Sequence, residues 1–320
     1  MRKPIVFMFS GQGSQYFQMG RELYDHHPRF RLWMDHCDAL IKEATGRSLT
    51  AELYDEHDRT KRFDDILLTN PALLSIEFCL AKLLCEAGIS PDYLLGYSLG
   101  ELTSSVVADA LSLEEGIRLS VEFACLLVGE SPAGGMLAIL GDESILDHHP
   151  DAFARCSISG RNFDTNFVVS GLAEEITRLQ AYLDGAGVVT QRLAVNFAFH
   201  SPVVEPLEPF FLQMGGTFNF TSPRIPVISA QKGHEIKVID ETHLWNVIRH
   251  PVDFKSTIRN LVARQDCIFI DVGPSGTLST AVKYLLPKPA SSIFLETLNQ
   301  FGRDRASLEK TIFYLSDHTV

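Results

Sequence analysis

A serine that stands between two glycines is the first feature of this sequence able to do chemistry. Residues 96–100 read Gly-Tyr-Ser-Leu-Gly, with a short apolar run before them and a stretch rich in small residues after them. This order predicts a strand, a sharp turn and a helix, and the two glycines let strand and helix meet without a side-chain clash. Ser98 would lie at the helix N-terminus, where backbone N–H groups and the helix dipole stabilise negative charge on a substrate oxygen. An ordinary turn with an incidental serine fits the same pattern, so both interpretations stay open here.

A glycine-rich loop follows the first apolar segment of the chain. Residues 5–9 are apolar throughout and run into Ser-Gly-Gln-Gly-Ser-Gln at 10–15. A buried strand that ends in such a turn presents backbone amides at its carboxyl end, where open α/β sheets build their sites. The loop lacks the third glycine of a dinucleotide-binding motif and the lysine of a P-loop. An oxyanion hole is therefore a better interpretation than a phosphate site.

Length, charge and cysteine usage restrict the class of protein. The 320 residues suffice for one large domain with an insertion or for two domains. The net charge of −12 argues against nucleic acid and against an anionic membrane as partners. Six cysteines without metal-ligand spacing suit reduced thiols in a cytoplasmic protein, and no metal site is expected. No apolar run approaches the roughly 18 residues of a membrane span, and the run at 5–9 is too short for a signal sequence.

Five motifs in a fixed order extend over almost the whole chain. They are Gly-Gln-Gly-Ser-Gln at 11–15, Thr-x-Pro-Ala-Leu at 69–73, Gly-x-Ser-Leu-Gly-Glu at 96–101, Phe-His-Ser-Pro at 199–202 and Val-Gly-Pro-Ser-Gly-Thr-Leu at 272–278. An ordered set of motifs is far more specific than a single Gly-x-Ser-x-Gly. Together they resemble the malonyl-CoA:acyl-carrier-protein transacylase family, which includes the acyltransferase domains of fatty acid and polyketide synthases.

The resemblance implies an α/β fold in two parts. An α/β-hydrolase-like large domain with a parallel sheet would comprise 1–130 and 198–320, and a ferredoxin-like small domain would be inserted at 131–197. The periodicity of the inserted segment agrees, since it predicts strands and helices in the order β-α-β-β-α-β. The active site would lie in the cleft between the two domains, a common place for ligand pockets.

The same resemblance assigns roles to individual residues. Ser98 matches the family's nucleophile, and His200 matches the general base that takes its proton and later returns it to the leaving thiol. Backbone N–H groups of Leu99 and Gln12 would hold the oxyanion. In the family a backbone carbonyl, four residues before a Pro-Val pair, orients the histidine, and that position is Val247 here.

The acyl pocket departs from the family pattern at the position that selects the substrate. Members that handle malonyl groups carry an arginine 25 residues beyond the nucleophile, and this position is Phe123 here. A guanidinium pairs with a free carboxylate, whereas an apolar ring leaves that charge unpaired. The chain is therefore expected to prefer uncharged acyl groups. The residues that the resemblance places at the pocket are Phe123, Tyr97, Phe199, Asn162 and Asn70.

Three functions follow from the resemblance, in order of preference. Family members without this arginine are known as free-standing, trans-acting proteins of polyketide pathways, and this chain resembles them. The first hypothesis is thus proofreading hydrolysis of acetyl and similar groups from carrier proteins, or transfer of monocarboxylic acyl groups. The second is malonyl-CoA:acyl-carrier-protein transacylase activity, because Ala-Phe-His at 198–200 resembles malonyl-type domains. The third is a non-catalytic, carrier-docking protein. The natural acyl chain and the choice between water and a thiol are open at this point.

The expected partners follow from the thioester chemistry. No cofactor is expected to bind, because the substrate arrives on the 4'-phosphopantetheine of an acyl carrier protein or of CoA. A monomer is expected, with the carrier supplied by another chain. An acidic carrier would be repelled by the overall charge, so docking requires a local basic patch. The candidate side chains are Arg2, Lys3, Arg161, Arg192, Lys232 and Arg224.

Overall fold

The apolar segments of the chain form strands of two separate β-sheets. The computed structural model describes residues 2–287 and 289–318. The strands are β1 (Ile5–Phe9), β2 (Tyr93–Gly96), β3 (Gly134–Leu140), β4 (Ser157–Phe163), β5 (Asn166–Leu172), β6 (Val189–Arg192), β7 (Val227–Ser229), β8 (His234–Ile236), β9 (Val252–Asp253), β10 (Ile268–Asp271) and β11 (Ile293–Glu296).

The larger sheet has the strand order β11-β10-β1-β2-β7-β8. Its strands are parallel except for the edge strand β8, which runs antiparallel to β7. Every residue of β1 is buried, as expected for a central strand with helices on both faces. The predicted α/β fold with a parallel sheet is confirmed, with the difference that its edge is antiparallel.

The smaller sheet has the order β6-β3-β5-β4-β9. Strands β3 to β6 lie within residues 131–197 and pair antiparallel, as a ferredoxin-like unit requires. Strand β9 comes from the later part of the chain and pairs parallel to β4. This pairing ties the smaller sheet to a later segment of the chain, outside residues 131–197.

Helices cover both faces of the larger sheet and one face of the smaller. The helices are α1 (Arg21–His26), α2 (Pro28–Thr45), α3 (Leu49–Ala51), α4 (Ile66–Glu86), α5 (Gly100–Val107), α6 (Leu113–Glu130), α7 (Ser144–His148), α8 (Pro150–Phe153), α9 (Ala173–Gly185), α10 (Glu208–Gly215), α11 (Glu241–Arg249), α12 (Phe254–Arg264), α13 (Thr277–Leu285) and α14 (Asp304–His318).

The hydrophobic core divides along the faces of the sheets. One face of the larger sheet packs against α2, α4 and α6, and the other against α12 and α13. Helix α4 is long and apolar enough, by composition, to cross a membrane, yet 89% of its apolar window is buried inside the protein. We therefore assign α4 as the central core helix of the fold.

Two neighbouring strands of the larger sheet position the site. Strands β1 and β2 pair in register, with Phe9 beside Gly96 at their carboxyl ends. The glycine-rich loop leaves β1 and the serine turn leaves β2, so both arrive at the same edge of the sheet. This is where parallel α/β sheets place their ligands.

Candidate active site

Ser98 lies in a strained turn that only glycines could flank. The chain passes from β2 to α5 within three residues, and Ser98 adopts a left-handed φ of 55°. A Cβ on Gly96 would lie 2.4 Å from the Cα of Glu101, and a Cβ on Gly100 would lie 2.1 Å from the carbonyl oxygen of Phe9. A non-glycine residue with positive φ is costly, and such residues cluster at functional sites. The turn thus has the geometry of a nucleophile elbow.

His200 is hydrogen-bonded to Ser98 and is held from behind by a backbone carbonyl. Its Nε2 lies 2.8 Å from Ser98 Oγ, and its Nδ1 lies 2.8 Å from the carbonyl oxygen of His250. A carbonyl can only accept, so Nδ1 carries the hydrogen and Nε2 of the neutral ring has the lone pair. Nε2 is therefore ready to take the proton of the serine hydroxyl.

Burial keeps the imidazole of His200 neutral. The residue is only 3% exposed. Desolvation lowers its pKa from 6.5 to about 4, although hydrogen bonds to the carbonyl oxygens of His250 and Val247 oppose this shift. At neutral pH the ring is consequently in its basic form, as a general base requires.

The carbonyl that accepts the short hydrogen bond from His200 Nδ1 belongs to His250. The sequence prediction that assigned this bond to Val247 is wrong. Helix α11 ends at Arg249, and His250 is extended, with φ −97° and ψ 153°, because Pro251 follows it. This geometry turns the His250 carbonyl toward the imidazole. The Val247 carbonyl contributes to the pKa of His200, and the residue also lines the pocket.

The oxyanion loop and the helix start lie beside the serine. A Cβ on Gly11 would lie 3.0 Å from Ser98 Cβ, so the backbone of Gln12 follows immediately next to the nucleophile. Among the hydrogen bonds of the described residues, none uses the backbone N–H of Gln12 or of Leu99. Both groups are thus free to donate to a substrate oxygen, and their role in an oxyanion hole stays a prediction.

The buried carboxyl group of Glu77 anchors the glycine-rich loop at 10–15. Glu77 accepts hydrogen bonds from the backbone N and the Oγ of Ser10, at 2.6 and 2.7 Å, and from Thr103 Oγ1 at 2.9 Å. Burial raises the pKa of Glu77 to about 8. Glu77 thereby joins the loop after β1 to helix α5, a link that the sequence analysis missed.

An apolar pocket opens next to Ser98. Its volume is about 50 Å³, several times the roughly 10–15 Å³ that one water molecule requires. None of the described residues that line it is charged. They are Gln12, Asn70, Ser98, Leu99, Leu102, Leu119, Ser120, Phe123, Phe199, Phe211, Leu244, Val247 and Ile248.

Three aromatic rings form one wall of this pocket. Phe123 packs edge-to-face on Phe211 with ring centroids 5.2 Å apart, and its ring lies 6.3 Å from that of Phe199. Asn70 lies on the polar side, where its Oδ1 accepts from Gln12 Nε2 at 2.5 Å. Sequence reasoning missed Phe211 and also Leu244 and Ile248, although the i, i+3, i+4 spacing of Leu244, Val247 and Ile248 marks one helix face.

Tyr97 and Asn162 do not line the pocket, so that part of the sequence prediction is wrong. Side chains alternate along a strand, and Tyr97 continues the face of Leu95, opposite to the pocket. Tyr97 Oη donates to Asn162 Oδ1 at 2.8 Å, and Asn162 Nδ2 donates to Asn166 Oδ1 at 2.6 Å. The pair joins the end of β2 to the smaller sheet and contributes to the seam between the sheets.

The basic side chains named for carrier docking are largely engaged within the protein. Arg2 pairs with Asp92, Arg161 with Glu143 and Arg224 with Asp109.

Among the described residues, no group of three or more histidine, cysteine or acidic side chains is arranged to hold a metal ion.

Comparison with known proteins agrees with this geometry. The family model described as the acyl transferase domain matches residues 6–300. The polyketide biosynthesis acyltransferase homolog PksD of Bacillus subtilis is 36% identical over 98% of this chain and 97% of its own length. The homolog BaeD of Bacillus velezensis is 34% identical over 97% of this chain and 96% of its own length.

Solved structures show the same fold. A loading acyltransferase from the avermectin modular polyketide synthase superposes with a TM-score of 0.88 at 25% identity, covering 98% of this chain and 99% of that one. The malonyl-CoA:acyl carrier protein transacylase of Xanthomonas oryzae pv. oryzae reaches 0.83 at 24% identity, covering 98% and 99%. Because the family model matches residues 6–300 and two relatives are 36% and 34% identical over nearly the whole chain, this chain belongs to the acyl transferase domain family.

Proposed function

We propose that this chain removes short, uncharged acyl groups from the phosphopantetheine thiol of an acyl carrier protein in polyketide biosynthesis. The observation that carries the proposal is the uncharged, aromatic pocket beside Ser98, with Phe123 where a carboxylate-binding arginine would be needed. The small volume of the pocket favours acetyl and similarly short groups. The names of PksD and BaeD support a place in polyketide biosynthesis.

The first half of the reaction forms an acyl-serine. Ser98 Oγ attacks the thioester carbonyl while His200 Nε2 takes the hydroxyl proton, and the carbonyl oxygen becomes an oxyanion held by the N–H groups of Gln12 and Leu99. The C–S bond then breaks, and His200 returns the proton to the leaving thiolate. The products are a free phosphopantetheine thiol and acylated Ser98.

The second half resolves this intermediate with water. A water molecule attacks the ester carbonyl, His200 Nε2 accepts one of its protons, and the C–Oγ bond breaks. The proton returns to Ser98 Oγ, so a carboxylic acid leaves and the enzyme is regenerated. Transfer differs only in the acceptor, which is then a second phosphopantetheine thiol in place of water.

A malonyl group fits this pocket poorly for an electrostatic reason. Its free carboxylate would have to leave water and lie against Phe123, Phe199 and Phe211, with no cation among the described residues that line the pocket. An unpaired charge in such surroundings costs several kcal/mol. Selection of acetyl over malonyl therefore requires no further recognition element.

Carrier proteins loaded separately with acetyl, butyryl and malonyl groups test the proposal. Each is incubated with the enzyme, with and without a second unloaded carrier, and intact-mass spectrometry reports the acyl group on each carrier. We expect acetyl and butyryl to give the free thiol while malonyl persists. The Ser98→Ala variant should leave all three loaded, and full activity in that variant would exclude the serine mechanism. Movement of malonyl from malonyl-CoA to the carrier would identify a malonyl transferase.

A further inference from the structure

A buried polar pair lies behind the active site, and the mechanism described above makes no use of it. Glu101 is 0% exposed and His243 is 3% exposed. His243 Nε2 lies 2.9 Å from Glu101 Oε2, and Ser229 Oγ donates to Glu101 Oε1 at 2.7 Å. Neither residue lines the acyl pocket or contacts Ser98 Oγ. His243 Nδ1 has no hydrogen-bond partner among the described residues. The bond to Glu101 is therefore the polar contact that offsets the cost of burying this imidazole.

Glu101 sits at the start of the nucleophile helix. Its backbone N–H donates to the carbonyl oxygen of Ser98 at 2.8 Å, within the first turn of α5. The Cα of Glu101 is also the atom that Gly96 must clear for the elbow to close. The side chain of Glu101 is thus anchored to the same turn that sets the direction of Ser98 Oγ.

His243 lies at the start of α11, the helix whose C-terminal end is hydrogen-bonded to His200. It lies in the first turn of α11, where its backbone N–H donates to the capping residue Asp240 at 2.7 Å. The opposite end of α11 presents the carbonyl of Ile248 to the backbone N of His200 at 2.9 Å, and the next residues bring the His250 carbonyl to its Nδ1 at 2.8 Å. From His243 to His250 the helix spans roughly 10 Å.

We propose that Glu101 and His243 are positioning residues whose hydrogen bond fixes α11 against α5 and thereby sets the approach of His200 to Ser98. The Ser98–His200 contact joins two side chains from distant parts of the chain, 102 residues apart. Ser98 is positioned by the turn before α5, and His200 is positioned by the carbonyl end of α11. The Glu101–His243 hydrogen bond joins these two helices inside the protein, where water cannot compete with it. The role holds for any acyl transfer through Ser98, whichever group accepts the acyl.

The rate at which a fluorophosphonate labels Ser98 tests the positioning role. His243→Gln keeps an amide near the place of Nε2 that can bond to Glu101, whereas His243→Leu fills a similar volume without a polar atom. We expect His243→Leu to lose about 10²-fold in labelling rate, because an ångström of misplacement has that effect on a reacting pair. His243→Gln should stay within about fivefold of the wild type, since the hydrogen bond is retained.

A steady-state measurement separates positioning from loss of folding. With an acetyl-loaded carrier, His243→Leu should lose kcat in proportion to the labelling rate while KM changes little. Ile41→Val, at a buried position of α2 that does not line the pocket, controls for a general loss of stability and should label at the wild-type rate. Equal losses in the leucine and glutamine variants, or wild-type labelling in a folded His243→Leu, would overturn the proposal.

A second variant covers the case in which His243→Leu does not fold. His243→Asn keeps a polar side chain at this position, but its amide lies near the place of Nδ1 and is too short to bond to Glu101 Oε2. A loss of about tenfold in labelling rate is expected, and wild-type labelling would refute the role of the pair. Fluorophosphonate labelling needs no acyl substrate, so this outcome is independent of whether the enzyme hydrolyses or transfers acyl groups.

Discussion

Replacement of Phe123 by arginine should allow the enzyme to accept malonyl groups. Phe123 lies on α6, is 7% exposed and forms the pocket wall with Phe211 and Phe199. In the wild type the malonyl carboxylate would be buried without a partner, at a cost of about 3–5 kcal/mol. At about 1.4 kcal/mol per tenfold in rate, this corresponds to a preference for acetyl over malonyl of roughly 10²- to 4 × 10³-fold.

In Phe123→Arg the guanidinium can pair with that carboxylate through two hydrogen bonds. We expect the ratio of malonyl to acetyl acylation to rise about 10²-fold, because most of the desolvation cost is then offset. Acetyl acylation should fall, since the charged side chain disrupts the contact with Phe211. Phe123→Leu is the matched control, because it alters the ring contacts without adding charge and should leave the ratio near the wild-type value.

The assay is single-turnover acylation of Ser98, followed by intact mass after mixing with acetyl- or malonyl-loaded carrier. It reads the first chemical step and is therefore independent of whether water or a thiol resolves the intermediate. Wild-type acylation by malonyl within tenfold of that by acetyl would refute the reasoning from Phe123. So would an equal malonyl-to-acetyl ratio in the arginine and leucine variants.

Three further predictions follow from the buried groups of the site. Because the pKa of His200 is lowered to about 4, its neutral form persists in mild acid, and kcat/KM should be nearly constant from pH 8 down to pH ~5.5; half-loss near pH 6.5 would contradict this. Burial raises the pKa of Glu77 from 4.5 to about 8, so its contribution to stability is complete below pH 4.5 and is lost as the pH rises through 8. Relative to Glu77→Gln, the wild type should lose up to about 5 kcal/mol of unfolding free energy over that range, measured by urea unfolding, and parallel pH curves would exclude it. Phe211→Ala should admit acyl chains longer than butyryl at a cost of about 3–5 kcal/mol in stability, measured by chain-length profiles and thermal melts, and an unchanged profile would show that Phe211 does not limit the pocket.

The sequence predicts those elements whose residues carry a clear pattern. The apolar run of β1 and the Gly-x-Ser-x-Gly turn both identify their structures, because a fully buried strand and a glycine-flanked elbow tolerate few alternatives. The short strands β8 and β9 were not predicted, since their three and two residues cannot show a period. They form only because neighbouring strands offer them hydrogen bonds.

Helix α4 begins within one residue of the sequence prediction, but the role of its proline differs. The sequence predicts a helix over 67–84 with Pro71 in its first turn, where a missing N–H costs nothing. In the structure the helix already begins at Ile66, because Asp65 caps it by accepting from the backbone N of Leu67 at 3.2 Å. Pro71 therefore lies inside the helix, where burial of the surrounding segment outweighs the lost hydrogen bond.

Within the site, the sequence identifies the reacting residues more readily than the directions in which neighbouring side chains and carbonyls point. Ser98 and His200 stand in motifs, and the structure brings them together at 2.8 Å. The choice of the His250 carbonyl over that of Val247 depends on how α11 ends, and the direction of Tyr97 depends on strand alternation just before the elbow. Such details follow from tertiary geometry, to which a single sequence gives no direct access.

The fate of the acyl-serine intermediate tests the central claim most directly. Ser98 is acetylated in a single turnover with a small acetyl thioester, excess reagent is removed, and intact mass follows the acyl-enzyme in buffer with and without an unloaded holo-carrier. Our account predicts decay in buffer alone at the rate of steady-state turnover, with release of acetate and no acceleration by the carrier. An acyl-enzyme that persists in buffer and discharges only onto the carrier thiol would contradict it and show a transferase.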